Sequence, residues 1–123
     1  MRDLTKAEEQ IMQVLWGIQP AFVKDIIAEM PAPKPAYSTV STIVRILESK
    51  GFIGHEAYGT THRYHAIISK EEYSHFSMKK MLENYFDGSL KQMVSLFSKR
   101  ENLSLKEMEE LFKTLENLKN EQP

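Results

Sequence analysis

Three stretches that open an apolar-periodic run begin with a Ser or Thr followed three positions later by Glu: Thr5–Glu8, Ser69–Glu72 and Ser104–Glu107. Each is a capping box, in which the hydroxyl accepts from the amide three residues on and the carboxylate reaches back to the first amide. Three helix starts are pinned in this way, so the spacing predicts a mainly α chain. After Thr5, the residues Ile11, Met12, Leu15 and Trp16 recur on one helical face, until Gly17 and Pro20 end the helix. A shorter helix is expected from Val23 to Met30, with Ile26, Ile27 and Met30 inward and Lys24, Asp25 and Glu29 outward. Pro31, Pro33 and Pro35 then forbid helix and make a stiff connector.

The third helix has an unusual outer face. Ser38 is expected as its N-cap and Gly51 as its C′ residue, with Lys50 suited to the negative C-terminal end. Val40, Ile43, Val44 and Leu47 gather on one side; Ser38, Ser41, Thr42, Arg45 and Ser49 gather on the other. A solvated helix face is ordinarily rich in Glu and Lys. This one is small and hydroxylated, with one Arg, so it can approach a partner closely and donate to phosphates or base edges. A hairpin follows, from Phe52–Ala57 through Tyr58–Thr61 to His62–Ile67, with Gly59 supplying the positive-φ turn residue. Helix, helix, helix and ribbon is the order of a winged helix-turn-helix, whose third helix enters the major groove.

Residues 1–68 therefore read as a winged-helix DNA-binding domain, and residues 69–123 as a helical dimerisation region. Ser69 opens a long helix to about Phe86. Asp87-Gly88-Ser89 breaks it and caps the next, and Ser104 opens the last, which frays over residues 120–123. The large apolar residues of this tail include Phe76, Tyr85, Phe86, Met93, Phe97, Met108, Leu111, Phe112, Leu115 and Leu118, the last five close to a heptad seam. They either pack back on the winged domain or join two copies. The stripe is wide for so short a chain to cover, which favours a homodimer.

Composition limits the partners. The net charge is −1, and residues 1–68 hold equal numbers of acids and bases, so any positive surface for DNA must be local. Two joined modules on two half-sites gain avidity without extra charge. With no cysteine, disulfides and thiolate metal sites are excluded. No apolar run approaches a membrane span and no secretory apolar core opens the chain, so a cytoplasmic protein without membrane contact is expected. No nucleophile elbow, phosphate-cradling Gly loop or carboxylate pair marks an enzyme, and no cofactor is expected. His62 and His65 point to opposite faces of a strand, so three histidines converging on a metal are not expected. At mildly acidic pH a wing histidine can add positive charge near phosphate. Tyr37 either covers the core or contacts the DNA backbone. A rival reading is a winged-helix protein-interaction module that binds no DNA, with its polar face merely solvated.

The chain resembles the penicillinase repressor family (the BlaI/MecI/CopY type) of bacterial winged-helix transcriptional regulators. The resemblance rests on Leu4-Thr5-Lys6-Ala7-Glu8 with Ile11-Met12 and Leu15-Trp16; on Ser38 to Leu47 with Lys50-Gly51; on His55-Glu56 before the Gly59 turn; and on Phe86-Asp87-Gly88-Ser89-Leu90. It implies a homodimeric repressor on a dyad operator, relieved by an upstream signal, with a regulatory protease cutting the C-terminal part in the best-known members. It places Ser38, Thr39, Ser41, Thr42 and Arg45 on the recognition helix and Gly59 to Arg63 on the wing. Lys50, Thr60, Thr61 and Arg63 complete the expected DNA-binding set. Three departures stand out. Thr60 takes the place of the usual wing Arg, and Leu96-Phe97 that of the Asn-Phe cleavage pair. The cysteine motif of the copper-responsive members is missing.

Overall fold

A computed structural model of the chain describes residues 1–121; Gln122 and Pro123, part of the expected frayed end, lie outside the described residues. The elements in order are α1 (Lys6–Ile18), α2 (Val23–Ala28), α3 (Tyr37–Ser49), β1 (Ile53–Tyr58), β2 (Thr61–Ala66), α4 (Lys70–Phe86), α5 (Leu90–Glu101) and α6 (Leu105–Glu121). They fall into two compact units, Met1–Met78 and the part from Lys79 onward.

In the first unit, α1 contributes Ile11, Met12 and Leu15 to the core, α2 contributes Val23 and Ile26, and α3 contributes Val40, Val44 and Leu47. Phe52, Ile53 and Tyr64 of the hairpin close it from below. The hairpin pairs Ile53 with Ala66 through Tyr58 with Thr61, leaving Gly59 and Thr60 as a two-residue loop. Gly59 has φ +63°, and Thr60 keeps an ordinary negative φ. A glycine first and an ordinary residue second is the II′ pattern that matches strand twist. Ala21 adds a short bridge at the hairpin's free edge, exchanging backbone hydrogen bonds with Tyr64 at 2.9 and 2.7 Å. Nothing periodic in the sequence announces so brief a pairing.

Local chemistry explains the ends. The Thr5–Glu8 and Ser69–Glu72 boxes form in both directions. At Ser104 the hydroxyl accepts from the Glu107 amide but gives its proton to the Glu107 carboxylate, a variation on the expected box. Helix α2 stops at Ala28, earlier than the expected Met30, and the ammonium of Lys34 accepts none of the blame: it covers the open end, donating to the carbonyls of Ile27, Ala28 and Met30. Helix α3 is capped by Ala36 in extended conformation, not by Ser38. The stiff Pro35 entry starts the helix early, so Ser38 lies within the first turn with its hydroxyl uncommitted to capping.

Glu8 is buried, and its Oε1 accepts from the Thr5 amide and from Lys50 Nζ, both at 2.8 Å. Burial opposes charge on this carboxyl, but Lys50 and the Thr5 amide and hydroxyl outweigh it and hold the pKa below the ordinary 4.5. The unfolded chain therefore takes up this proton first as pH falls. The stability contributed is complete above about pH 4.5 and is lost as pH drops through the lower folded value. Urea unfolding at a series of pH values should show Glu8→Gln losing stability less steeply in acid than the parent; parallel acid limbs would contradict this pairing.

The expected boundary after residue 68 shifts. The Tyr73 hydroxyl accepts from the Leu4 amide at 2.9 Å, and its ring packs against Trp16 and Phe52. Trp16 in turn donates through Nε1 to the Ile68 carbonyl at 2.9 Å. The first turns of α4 thus complete the core of the first unit. Phe76, expected at a dimer face, is half-buried against the Tyr73 ring in that same unit. In the second unit no described residue of α5 or α6 is buried. An open apolar hollow of about 740 Å³ is lined by Met81, Phe86, Met93, Phe97, Leu103 and Leu111.

Candidate nucleic-acid interface

The buried stripe of α3 fixes which side chains face out. With Val40, Val44 and Leu47 in the core, Ser38, Thr39, Thr42, Arg45, Ile46 and Ser49 are exposed, and Ser41 is half-buried. The hairpin folds beside this helix, and a cleft of about 400 Å³ opens between them. Tyr37, Ser41 and Arg45 line it from α3, and Thr60, Thr61 and His62 from the hairpin. Phe22, Val23 and Lys24 close the end. Two of the lining residues are cationic and none is acidic.

The acid of α3 is engaged by the hairpin. Glu48, the only acid on α3, is held by His55 Nδ1. The His55 ring stacks on His62 at 4.0 Å and 3°, and both meet the Tyr64 ring at an angle. The register explains the stack: His55 pairs with Tyr64 and Ala57 with His62, so these four share one face of the ribbon. His65 pairs with Gly54 on the opposite face, as the alternation along the strand required. Tyr64 is buried, which with the nearby Glu48 charge raises its phenol pKa, partly offset by Arg45; it stays neutral at physiological pH. Among the described residues no three His, Cys, Asp or Glu are placed to hold a metal ion.

The hydroxyls differ in what they can still do. Thr42 donates its proton to the Ser38 carbonyl at 2.9 Å, and Thr61 donates to the Tyr58 carbonyl at 2.9 Å, closing the turn. Arg45 leans on Ser41 through two 3.4 Å contacts, Nε to the carbonyl and an outer nitrogen to the hydroxyl. These contacts are long, and the guanidinium stays exposed with further N–H groups free to donate.

Two expected members stand apart from the cleft. Lys50 turns away to Glu8, where its side chain is 19% exposed. An ammonium paired at 2.8 Å with a buried carboxylate is held back from phosphate, and the sequence held no local sign of a partner so far away in the chain. Arg63 lies on the ribbon face opposite His62: it sits 3.7 Å from Glu56, its cross-strand neighbour, and over the Tyr58 ring at 4.8 Å. Its Nε is buried without a hydrogen-bond partner among the described residues. Conversely, Lys24, Phe22 and Tyr37 join the cleft although sequence reasoning gave Lys24 only an outward place and left Tyr37 open. For Lys24 the available signal was its position one residue into α2, a helix start that the helix-turn-helix brings toward α3.

A three-helix head with a bridged two-stranded wing, and an acid-free cleft between its third helix and that wing, defines a winged-helix DNA-binding protein. The chain belongs to the penicillinase repressor family, whose profile matches residues 4–117. It is 26% identical over 103 residues to the methicillin resistance regulatory protein MecI of Staphylococcus aureus (strain N315), covering 83% of this chain and 84% of that one. It is 27% identical over 102 residues to the penicillinase repressor of Bacillus licheniformis, covering 82% and 80%. Among solved structures it is similar to a MarR/EmrR family transcriptional regulator from Acinetobacter sp. ADP1, at 23% identity and TM-score 0.48, over 80% of this chain and 75% of that one.

Proposed function

We propose that this DNA-binding transcriptional repressor acts in the cytoplasm as a homodimer on a dyad operator. Ser38, Thr39, Ser41, Thr42 and Arg45 face the major groove, and Thr60 and Thr61 of the wing, with Lys24 and His62, face phosphate. The single observation that carries this reading is the cleft between α3 and the wing: it gathers Arg45 and Lys24 with no lining acid, in a chain whose net charge is −1. Positive potential is thereby local, as phosphate binding needs. The second unit supports the homodimer, because α5 and α6 leave Phe97, Phe112, Leu115 and Leu118 each more than half exposed. Apolar stripes of this extent mark an interaction surface. Relief of repression by an upstream signal, including cutting by a regulatory protease, acts in this reading on that unit, where Leu96-Phe97 lies exposed on α5.

Selection from a random duplex pool identifies the operator, and Arg45→Ala is the test. It should cost about 1–3 kcal/mol in specific binding, the worth of one good base contact. Unchanged binding would remove α3 from the groove. Failure of the parent chain to enrich any sequence would favour a protein-interaction module.

A further inference from the structure

Among α1, α2 and α3, Ile46 is the only large aliphatic residue left exposed, at 44%. It is not a leftover of the core stripe, which runs through Val40, Val44 and Leu47. It stands on the exposed side of the helix beside Thr39, and in the same i, i+4 row as Ser38 and Thr42. Thr42 belongs with it chemically. Its hydroxyl proton is spent on the Ser38 carbonyl, one turn back in the helix. That hydroxyl can no longer donate to a base, and the γ-methyl is what Thr42 has left to offer an apolar group. The outward face of α3 therefore carries an apolar pair, one helical turn apart, beside the exposed guanidinium of Arg45.

In the major groove one base edge alone presents a methyl group, the C5-methyl of thymine. We propose that Ile46 and the Thr42 methyl read thymine methyl groups, so that operator choice rests on apolar contact as well as on Arg45. This rests on the DNA-binding reading above. Four residues of helix rise about 6 Å, roughly two base-pair steps, so the two thymines should stand about two steps apart in each half-site.

Deoxyuridine in place of thymidine removes the methyl and nothing else from the groove. In the duplex selected from the random pool, each thymidine is replaced singly and binding is measured by gel shift. One or two positions per half-site should weaken binding about fourfold each, the worth of burying one methyl-sized group. Ile46→Ala should bind the parent duplex more weakly and lose sensitivity to uridine at one of these positions. Thr42→Ser, which keeps the hydroxyl, should lose it at the other. Ile46 is exposed, so its truncation leaves the fold intact, and circular dichroism checks this. Tight binding with no uridine effect at any position overturns the proposal while leaving the DNA-binding reading in place. So does an Ile46→Ala protein as sensitive to uridine as its parent. A parent chain that selects no duplex overturns both.

Discussion

Lys50→Met is expected to destabilise the first unit by about 2–3 kcal/mol while leaving operator recognition by the folded protein unchanged. The substitution leaves Glu8 ionised in a site where its side chain is only 5% exposed, with the Thr5 groups as its remaining partners. Orphaning one member of a buried pair costs about 3–5 kcal/mol when both ions are fully enclosed. The cost here is lower because Lys50 itself keeps some solvent contact. The double variant Glu8→Gln with Lys50→Met should recover most of the loss, since a neutral amide has no charge to strand. Urea unfolding measures the stability, and gel shifts well below the melting range measure binding. The opposite pattern, with stability intact and operator affinity reduced, would return Lys50 to the DNA surface.

Leu115→Asp combined with Leu118→Asp should convert the protein to a monomer and weaken binding to a full dyad operator about 100-fold. Both leucines are half-exposed on α6, so the change removes little of the unit's own packing. At a dimer face it would bury two carboxylates in each copy. The second half-site is then no longer delivered at high effective concentration, and linked binding of this kind is worth about 10²–10⁴ in affinity. Sedimentation equilibrium reads the mass and gel shifts read the affinity. A parent chain that is monomeric at micromolar concentration, or a double variant that still dimerises, would remove α6 from the proposed interface.

What the sequence disclosed and what it withheld divide along a physical line. Interactions within four residues, or repeated at a fixed period, were legible. The Thr5 box, the core stripe of α3 and the Gly59 turn all belong to this kind, and together they define the head and its outward face. Pairings across tens of residues were not legible. Glu8 and Lys50 lie 42 positions apart, and nothing near Lys50 says that a carboxylate waits on α1. Leu4 and Tyr73 lie 69 apart, which is why the head extends into α4 and takes Phe76 with it. Arg63 stands apart from the cleft for a different reason. Strand alternation puts it on the ribbon face opposite His62, against Glu56 and the Tyr58 ring. The Glu48–His55 contact between α3 and the hairpin was also invisible.

Two cations in one acid-free cleft, on a chain whose net charge is −1, have a consequence for search. Such a molecule feels little pull from arbitrary duplex, whose attraction scales with the number of phosphates neutralised. Brief sliding on bulk duplex is the expected result, and a weak non-specific affinity with a shallow salt slope would show it.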